Sequence, residues 1–195
     1  MLFCNAQTIK HCSQLTEHSS GLAAECDVIT SFGVCVKIIL RDTELDDLDY
    51  VLKVEFLEEN KVYIAQWERY KHEEIIKSDI KFHFIIEDFE RNRLGYIILF
   101  DLININQGYY IKRIAVSEKS KGVGRAAIQL LVNKLDIESS IKLAVVENNA
   151  RAIRSYQAAG FKFKSLNQDE RNKFKIEVDN ISEDCLVMEY SKYEL

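Results

Sequence analysis

The feature that most constrains the fold is an alternation of strand-like and helix-like segments in the second half of the chain. The apolar run YYIKRIAV (109–116) predicts a strand, and apolar residues at helical spacing then predict a helix that ends near Ile137. The run IKLAVVE (141–147) predicts the next strand, and a second helix is expected from about Asn149 to Ala159. This order of strand, helix and strand predicts a crossover connection in this half of the sheet.

The remaining segments predict further strands and two more helical stretches. An acid-rich segment (41–59), with Thr43 as a candidate N-cap, and a stretch at about 65–77 predict helices. The other β-branched and apolar runs predict strands, at 34–40, 80–88, 94–102, 161–166 and 184–191. The charged segment 167–180 is interpreted as a loop. The order of elements predicts a mixed α/β layer whose sheet is antiparallel in its first half.

The domain organisation follows from length and periodicity. A chain of 195 residues fits one domain. Residues 1–33 show no sustained period, so we interpret them as a poorly ordered or loosely packed N-terminal extension. Residues 34–195 are then expected to form the single domain.

Two glycines lie between the strand at 109–116 and the helix that follows it. Gly122 and Gly124 leave the backbone free of Cβ atoms where the first helical N–H groups have no partners in the helix. Such a turn suits a phosphate group.

One interpretation of these glycines is a dinucleotide site. Gly122, Gly124 and Ala127 satisfy the pattern G-x-G-x-x-A, and Glu147 lies about 20 residues further on. In that motif, however, the glycines follow the strand directly and the motif opens the sheet. Here SEKSK (117–121) intervenes and several predicted strands come first.

A second interpretation rests on two motifs in order. After RIAVSEKSKGVGRAA (113–127) comes ENNARAIRSYQAAGFKF (147–163), and together they resemble the GNAT superfamily of N-acetyltransferases. Its first signature, [RQ]-x-x-G-x-[GA], is present here with Lys119 in place of arginine or glutamine. Its second signature, N-x-x-A-x-x-x-Y-x-x-x-G-F, is complete, with Asn149, Ala152, Tyr156, Gly160 and Phe161.

The resemblance covers about residues 34–192 and implies both a fold and an activity. The fold is α/β of the α+β type, with a mixed, mainly antiparallel central sheet of six to seven strands flanked by about four helices. The activity is transfer of an acetyl group from acetyl-CoA, as co-substrate and without a metal, to a primary amine of a small molecule or peptide. A non-catalytic module that binds acyl-CoA and regulates a partner is the alternative with the same fold.

The resemblance also implies site residues. The pyrophosphate is expected on the turn, and the pantetheine arm is expected to lie like an added strand against β-strand backbone. The implied cofactor-binding residues are Lys121, Gly122, Val123, Gly124, Arg125 and Ala126 in the turn, Ile114, Ala115 and Val116 in the strand, and Asn149, which is also a favoured helix N-cap. Tyr156 is the expected catalytic acid, because a phenol is protonated at neutral pH and can supply a proton to the leaving thiolate.

The general base stays open. Relatives place a glutamate in the strand before the coenzyme, at the position that Tyr110 is expected to hold. Glu147, His72, His83 and a chain of water molecules are the alternatives.

The amine acceptor is expected against the first two helices. The segment 56–76 combines Tyr63, Trp67 and Tyr70 with several glutamates, and Glu55 comes just before it. An aromatic and acidic wall of this kind suits a cationic amine. We therefore expect a small cationic amine, or the N-terminus or a lysine of a protein. An amphipathic helix with a solvated charged face is the simpler explanation of the same pattern.

Composition excludes several other classes of protein. A net charge of −5 without a concentrated basic stretch argues against nucleic acid as a partner. No apolar run approaches about 18 residues, so we expect no membrane partner. The first residues, MLFCNAQTIKHC, lack the apolar core of a signal peptide, and a cytoplasmic protein is expected. A homodimer is left open.

The cysteines agree with that location. There are five, an odd number without paired short spacing, so neither a disulfide framework nor a zinc motif is predicted. His11, Cys12, His18 and Cys26 match no ligand spacing, and we expect no metal there.

Overall fold

The structure, a computed structural model, describes residues 25–29, 35–102, 108–135, 140–178, 181–182 and 184–191. Its described strands form one sheet of eight strands in the order β1-β2-β3-β4-β5-β6-β8-β7. The strands are β1 Glu25–Ile29, β2 Cys35–Asp42, β3 Lys81–Asp88, β4 Arg93–Leu102, β5 Gly108–Val116, β6 Ser140–Val146, β7 Lys162–Phe163 and β8 Cys185–Tyr190. Strands β5 and β6 pair in parallel, and the other described pairs are antiparallel.

Six α-helices and one short 3₁₀ helix (Leu45–Asp47) connect the described strands. The α-helices are α1 Leu48–Glu55, α2 Glu58–Lys61, α3 Arg69–Ile76, α4 Val123–Lys134, α5 Ala150–Ala158 and α6 Gln168–Glu177. The mixed, mainly antiparallel sheet predicted from the sequence is thus confirmed, with one strand and two α-helices more than expected.

The two faces of the sheet carry different helices. Buried residues of α4, including Ala127 and Leu131, pack on one face of the sheet with partly buried residues of α5. Leu48 and Val51 of α1, Ile75 of α3 and Phe174 of α6 pack on the other face. The crossover from β5 through α4 to β6 explains why these two strands are parallel.

Three elements differ from the sequence-based predictions. The first described strand, β1, begins at Glu25 and so lies inside the segment 1–33 that we interpreted as an extension; all five residues of β1 pair with β2. Thr43 does not cap a helix: its hydroxyl is buried and hydrogen-bonds His83 Nδ1 at 2.8 Å, while Glu44 caps the 3₁₀ helix. The charged segment predicted as a loop contains α6.

The start of α6 shows why that helix forms. The Asn167 side chain accepts a hydrogen bond from the backbone N–H of Glu170, and the Glu170 carboxylate accepts one from the N–H of Asn167. This reciprocal capping box satisfies two N–H groups at the helix start. Phe174, 2% exposed, then anchors the helix to the sheet.

A β-bulge in β5 sets the direction of its side chains. Leu99 pairs with Ile111 and Ile98 pairs with Arg113, so Lys112 is the extra residue of β5 at this point of the β4–β5 ladder. One extra residue changes which face the following side chains reach. Arg113 consequently faces α1 and α3, whereas strict alternation from Ile111 would turn it toward α4.

Candidate active site

The turn between β5 and α4 has the conformation that its glycines predict. Gly122 is the N-cap of α4 and has φ +78°, a left-handed conformation that side chains rarely adopt. Gly124 lies in the first turn of the helix, where an added Cβ would meet only Val116 Cγ1 at 3.9 Å. The first N–H groups of α4 and its positive dipole end can therefore face a phosphate without obstruction by a side chain at Gly124.

A gap opens in the sheet beside this turn. The parallel pairing of β5 with β6 ends at Ile111 and Leu143, after which β5 stays paired with β4 and β6 with β8. Ser117 N donates to Leu94 O in β4 at 2.8 Å, so by alternation the N–H and C=O groups of Ile114 and Val116 face the gap. These are backbone groups to which an extended chain can hydrogen-bond like a further strand.

A cavity of about 460 Å³ occupies the gap and extends to α2 and the segment after it, where Tyr63, Ile64 and Ala65 line it. Ala115 and Ala126 do not line it: both are buried in the core, and Ala126 N donates to Gly122 O at 3.0 Å. The structure brings together at this cavity the other predicted site residues, which are Ile114, Val116, Lys121, Gly122, Val123, Gly124, Arg125, Asn149 and Tyr156.

Tyr156 lies in α5 and Asn149 directly precedes this helix, which borders the cavity on the face of the sheet that carries α4. Asn149 is the N-cap, as predicted, and its side chain accepts from Ala152 N at 3.2 Å. The ring of Tyr156 lies 6.2 Å from that of Phe161. Burial raises the pKa of Tyr156 to about 12, so the phenol keeps its proton throughout the neutral range.

The candidate bases are less well placed. Tyr110 lines the cavity, but it is 3% exposed, packs edge-on against Phe174 at 5.4 Å, and its burial raises its pKa. Glu147 is exposed and does not line the cavity. His72, in α3, and His83, in β3, are buried and lie outside the lining.

A buried polar cluster adjoins the cavity and is centred on Glu55, which is fully buried. Its Oε1 accepts from Tyr96 OH at 2.6 Å and from Arg113 Nη1 at 2.8 Å, and its Oε2 accepts from Trp67 N at 2.9 Å. Burial by itself raises the pKa of Glu55, but His72, Tyr96, Arg113 and the Trp67 N–H outweigh it and lower that pKa. Glu55 is therefore a charged structural group and a poor base.

A chain of polar contacts extends from this cluster to the end of β2. His72 Nδ1 lies 3.1 Å from His83 Nε2, and His83 Nδ1 lies 2.8 Å from Thr43 Oγ1. His72 Nε2 is 3.5 Å from Glu55 Oε1 and makes no hydrogen bond within the described residues. Burial, followed by the neighbouring His72, lowers the pKa of His83 to about 3, so this ring is neutral at physiological pH.

Only part of the acceptor wall expected from the sequence faces the cavity, and other residues of the protein contact some of the rest. Trp67 has Arg113 over its ring at 3.7 Å, so this face of the indole is already covered by a cation. Glu58 pairs with Lys61 at 2.6 Å, and Tyr70 is exposed outside the cavity. Tyr63 and Glu59 do line the cavity.

One cavity residue, Asn60, lies outside the two sequence motifs and was missed. Asn60 is buried; its Nδ2 donates to Val54 O at 2.7 Å and to Val116 O at 3.2 Å, and its Oδ1 accepts from Lys119. Burial, and then the nearby Arg151, lowers the pKa of Lys119 to about 8. Arg151 also lies 3.9 Å from Glu59 across the cavity mouth. A polar residue at Asn60 inside a charged helix gave no local signal of this role.

The dinucleotide interpretation does not fit the observed topology. Four described strands precede β5 in chain order, so the glycine turn does not open the sheet. The candidate metal ligands His11, Cys12, His18 and Cys26 lie outside the part of the chain whose side chains are described. Within the described residues, no helix combines the length and the apolar character needed to cross a membrane.

Known structures share this fold at low sequence identity. A domain from Methanocaldococcus jannaschii is 19% identical with a TM-score of 0.61, and the match covers 79% of this chain and 97% of that one. The aminoglycoside acetyltransferase AAC(6')-Ib, in complex with coenzyme A and kanamycin, is 18% identical with a TM-score of 0.61, covering 80% and 95%. Spermidine N-acetyltransferase from Vibrio cholerae, in complex with CoA and spermine, is 17% identical with a TM-score of 0.57, covering 78% and 94%.

A comparison with curated protein sequences gave no match. The sequence profile of the acetyltransferase (GNAT) family matches residues 48–161, which include α1, the glycine turn, the separated strands and the whole of α5. That range is more than half of the chain and contains both signatures found in the sequence. The chain therefore belongs to the acetyltransferase (GNAT) family.

Proposed function

We propose that this protein is an acetyl-CoA-dependent N-acetyltransferase that moves the acetyl group to a primary amine within a ternary complex. The observation that carries the proposal is that one continuous cavity joins the glycine turn, the gap between β5 and β6, Tyr156 and the segment after α2. A thioester and an amine can meet in such a space without a covalent enzyme intermediate.

The coenzyme is proposed to bind along β5. Its pyrophosphate lies on the N–H groups from Lys121 to Arg125, where Gly124 allows close approach and the helix dipole is favourable; the N–H of Ala126 already donates within the helix. Lys119 and Arg125, which line the cavity there, add positive charge. The pantetheine arm pairs with the gap-facing groups of Ile114 and with the N–H of Val116, whose C=O already accepts from Asn60 Nδ2.

The chemical step is direct attack on the thioester. The free amine nitrogen bonds to the carbonyl carbon, and the carbonyl π electron pair moves onto oxygen, where a backbone N–H facing the gap can stabilise it. Return of that pair breaks the carbon–sulfur bond, and sulfur leaves with the bonding electrons. The nitrogen gives up its extra proton to water, and Tyr156 OH protonates the thiolate and regains a proton from solvent.

The acceptor is proposed to enter from the side of Tyr63 to Ala65. The candidates are a small cationic amine, as in the relatives whose structures contain spermine or kanamycin, and the N-terminus or a lysine of a protein. The protein is proposed to act in the cytoplasm, and residues 34–195 are proposed to be the catalytic domain with β1 as an added edge strand.

A non-catalytic acyl-CoA-binding module is the second candidate. It is favoured by Tyr110, which is expected at the usual position of a catalytic glutamate and whose raised pKa makes it no base at neutral pH. The test is release of CoA from acetyl-CoA by the purified protein, offered polyamines, amino sugars, peptides with free N-termini and peptides with a single lysine. Turnover with any amine supports the enzyme; acetyl-CoA binding without turnover on any amine supports the module.

A further inference from the structure

Arg113 occupies an unusual position in the cavity wall. Its side chain is 7% exposed, yet the residue lines the cavity at the level where β6 has separated from β5. Nη1 donates to Glu55 Oε1 at 2.8 Å and also to the carbonyl of Ala65, and the guanidinium lies on the Trp67 ring. The β-bulge at Lys112 is what turns this side chain toward Glu55.

The guanidinium of Arg113 has N–H donors without a hydrogen-bond partner among the described residues. Arginine carries five N–H groups, and the two hydrogen bonds to described residues both come from Nη1. Nε is buried and has no hydrogen-bond partner among the described residues. An unsatisfied buried donor is rare in folded proteins, and each case asks for an explanation. Because Glu55 and Trp67 hold the guanidinium from two sides, it cannot easily turn its free donors elsewhere.

The location of Arg113 indicates which ligand it faces. A strand rises about 3.3 Å per residue, so Arg113 lies about 10 Å along β5 from Val116, on the side away from the glycine turn. With the pyrophosphate at that turn, the reacting end of the coenzyme and the acceptor lie near Arg113. The carboxylates among the described lining residues, Glu59 and Glu118, belong to α2 and to the loop before the turn.

The inner end of the cavity thus offers hydrogen-bond donors. Arg113 lines it, together with Tyr110 and Cys185, whereas Lys112, also in the lining, already donates to Val178 O at 2.7 Å. An acceptor with oxygen atoms beside its amine fits such donors better than a polyamine, whose groups are all donors when protonated.

The absence of a well-placed base among the described residues points in the same direction. A peptide α-amine has a pKa near 8, so about one molecule in ten carries a free amine at pH 7. A lysine-type amine with a pKa near 10.4 has fewer than about one in a thousand free. A site without a strong base therefore favours the α-amine, which needs little help to lose its proton.

We propose that Arg113 is a specificity-determining residue that donates hydrogen bonds to the carbonyl oxygen next to the reacting amine, and that the acceptor is the α-amine of a peptide. This inference rests on the proposed acetyltransferase function and selects one acceptor class within it. Glu55 and Trp67 act through Arg113 as positioning residues.

The experiment compares two acceptors that differ at the first peptide bond and carry the same charge there: the dipeptide amide Ala-Ala-NH₂ and its isostere with a trans carbon–carbon double bond in place of that peptide bond. Rates are expressed per concentration of free amine, so that the different amine pKa values do not enter. We expect the wild-type kcat/KM to favour the dipeptide amide by about tenfold or more, as for a hydrogen bond from a charged donor.

Variants then identify the donor. Arg113→Lys keeps the charge beside Glu55 but loses the planar fork, and should reduce the ratio of the two kcat/KM values to near one, with little change in acetyl-CoA affinity. The double variant Glu55→Gln/Arg113→Gln removes both buried charges, so it tests the same ratio if the single variant folds poorly. Tyr70→Phe, at an exposed site outside the cavity, is the matched control and should keep the wild-type ratio.

Three results would overturn the inference. Wild-type turnover of both amines with a ratio near one would leave the acetyltransferase function intact but remove the role of Arg113. A ratio that persists in both Arg113 variants, or a loss confined to acetyl-CoA affinity, would make Arg113 a structural or coenzyme residue. If no amine releases CoA while acetyl-CoA still binds, the proposed enzyme fails and this inference fails with it.

Discussion

The substitution Gly124→Glu is expected to change acetyl-CoA affinity and fold stability in opposite directions. A Cβ at this position meets only Val116 Cγ1 at 3.9 Å, which is ordinary van der Waals contact, so the folded protein has room for a side chain. Glutamate is a better helix former than glycine by about 0.5 kcal/mol, and an acid in the first turn of a helix adds about 0.3–1 kcal/mol. The free energy of unfolding should therefore rise by about 1 kcal/mol, which is roughly 2–4 °C in Tm for a chain of this size.

The effect on acetyl-CoA has the opposite sign. Two unit charges about 5 Å apart at an effective dielectric constant of about 40 repel by about 1.7 kcal/mol. Against a pyrophosphate with two negative charges this is about 3 kcal/mol, or on the order of a hundredfold in Kd. Calorimetric titration with acetyl-CoA measures the loss, and thermal melts followed by circular dichroism measure the stability.

Two variants at the same position distinguish charge from size. Gly124→Ala should bind acetyl-CoA nearly as the wild type does, since the family signature accepts alanine there and the helix gains about 0.5–1 kcal/mol. Gly124→Gln has the bulk of glutamate without its charge, and its affinity should lie between the two. The Gly124→Glu defect should shrink at high salt, because ions screen the repulsion. A Gly124→Glu protein that binds acetyl-CoA with wild-type affinity would refute the phosphate site at this turn.

Three further expectations concern other parts of the molecule. Tyr156→Phe should lower kcat by about 100-fold or more with little change in acetyl-CoA affinity, because the ring stays and the proton donor goes; an unchanged kcat would make Tyr156 a packing residue. Folding lowers the pKa of His83 from 6.5 to about 3, so between these values only the unfolded chain takes up this proton. The contribution of His83 to the free energy of unfolding is therefore fully present above about pH 6.5, and it falls by about 1.4 kcal/mol per pH unit on acidification. Urea titrations should show a shallower pH dependence for His83→Asn, and equal slopes would contradict the assignment. Deleting residues 1–32 removes β1 and should lower the Tm; an unchanged Tm would mean that β1 adds no stability.

The sequence predicted the elements that carry periodic patterns and motifs. Strands β3, β4, β5 and β6 and helices α4 and α5 follow from apolar runs, glycines and the N-cap Asn149, because each of these signals is local. Helix α6 was interpreted as a loop since its residues are almost all polar; its capping box at Asn167 and Glu170 was a local signal that the interpretation overlooked.

The polar cluster of the site could not be predicted in the same way. In the sequence, Glu55 is one of the acids expected in the acceptor wall, and Arg113 is part of a predicted strand. Their pairing depends on a bulge at Lys112 and on packing between segments 58 residues apart in sequence. Neither feature has a local pattern in the chain. Two residues that the sequence assigns to a wall for a cationic ligand, Glu55 and Trp67, therefore contact Arg113 of the protein itself.

The energetics of this pair bear on its purpose. Moving two charges out of water costs several kcal/mol per ion, and replacement of a buried pair by apolar residues is often neutral or stabilising. Stability alone is therefore a weak reason for Glu55 and Arg113 to lie buried beside a cavity. A fixed donor is a stronger reason, because a guanidinium held by Glu55 on one edge and Trp67 on one face loses little conformational entropy when a ligand oxygen arrives. The carboxylate of Glu55 also offsets the charge of the guanidinium, which weakens its attraction for an anion. Recognition then depends mainly on hydrogen-bond geometry, and a neutral carbonyl of a peptide backbone fits this site better than a free carboxylate does.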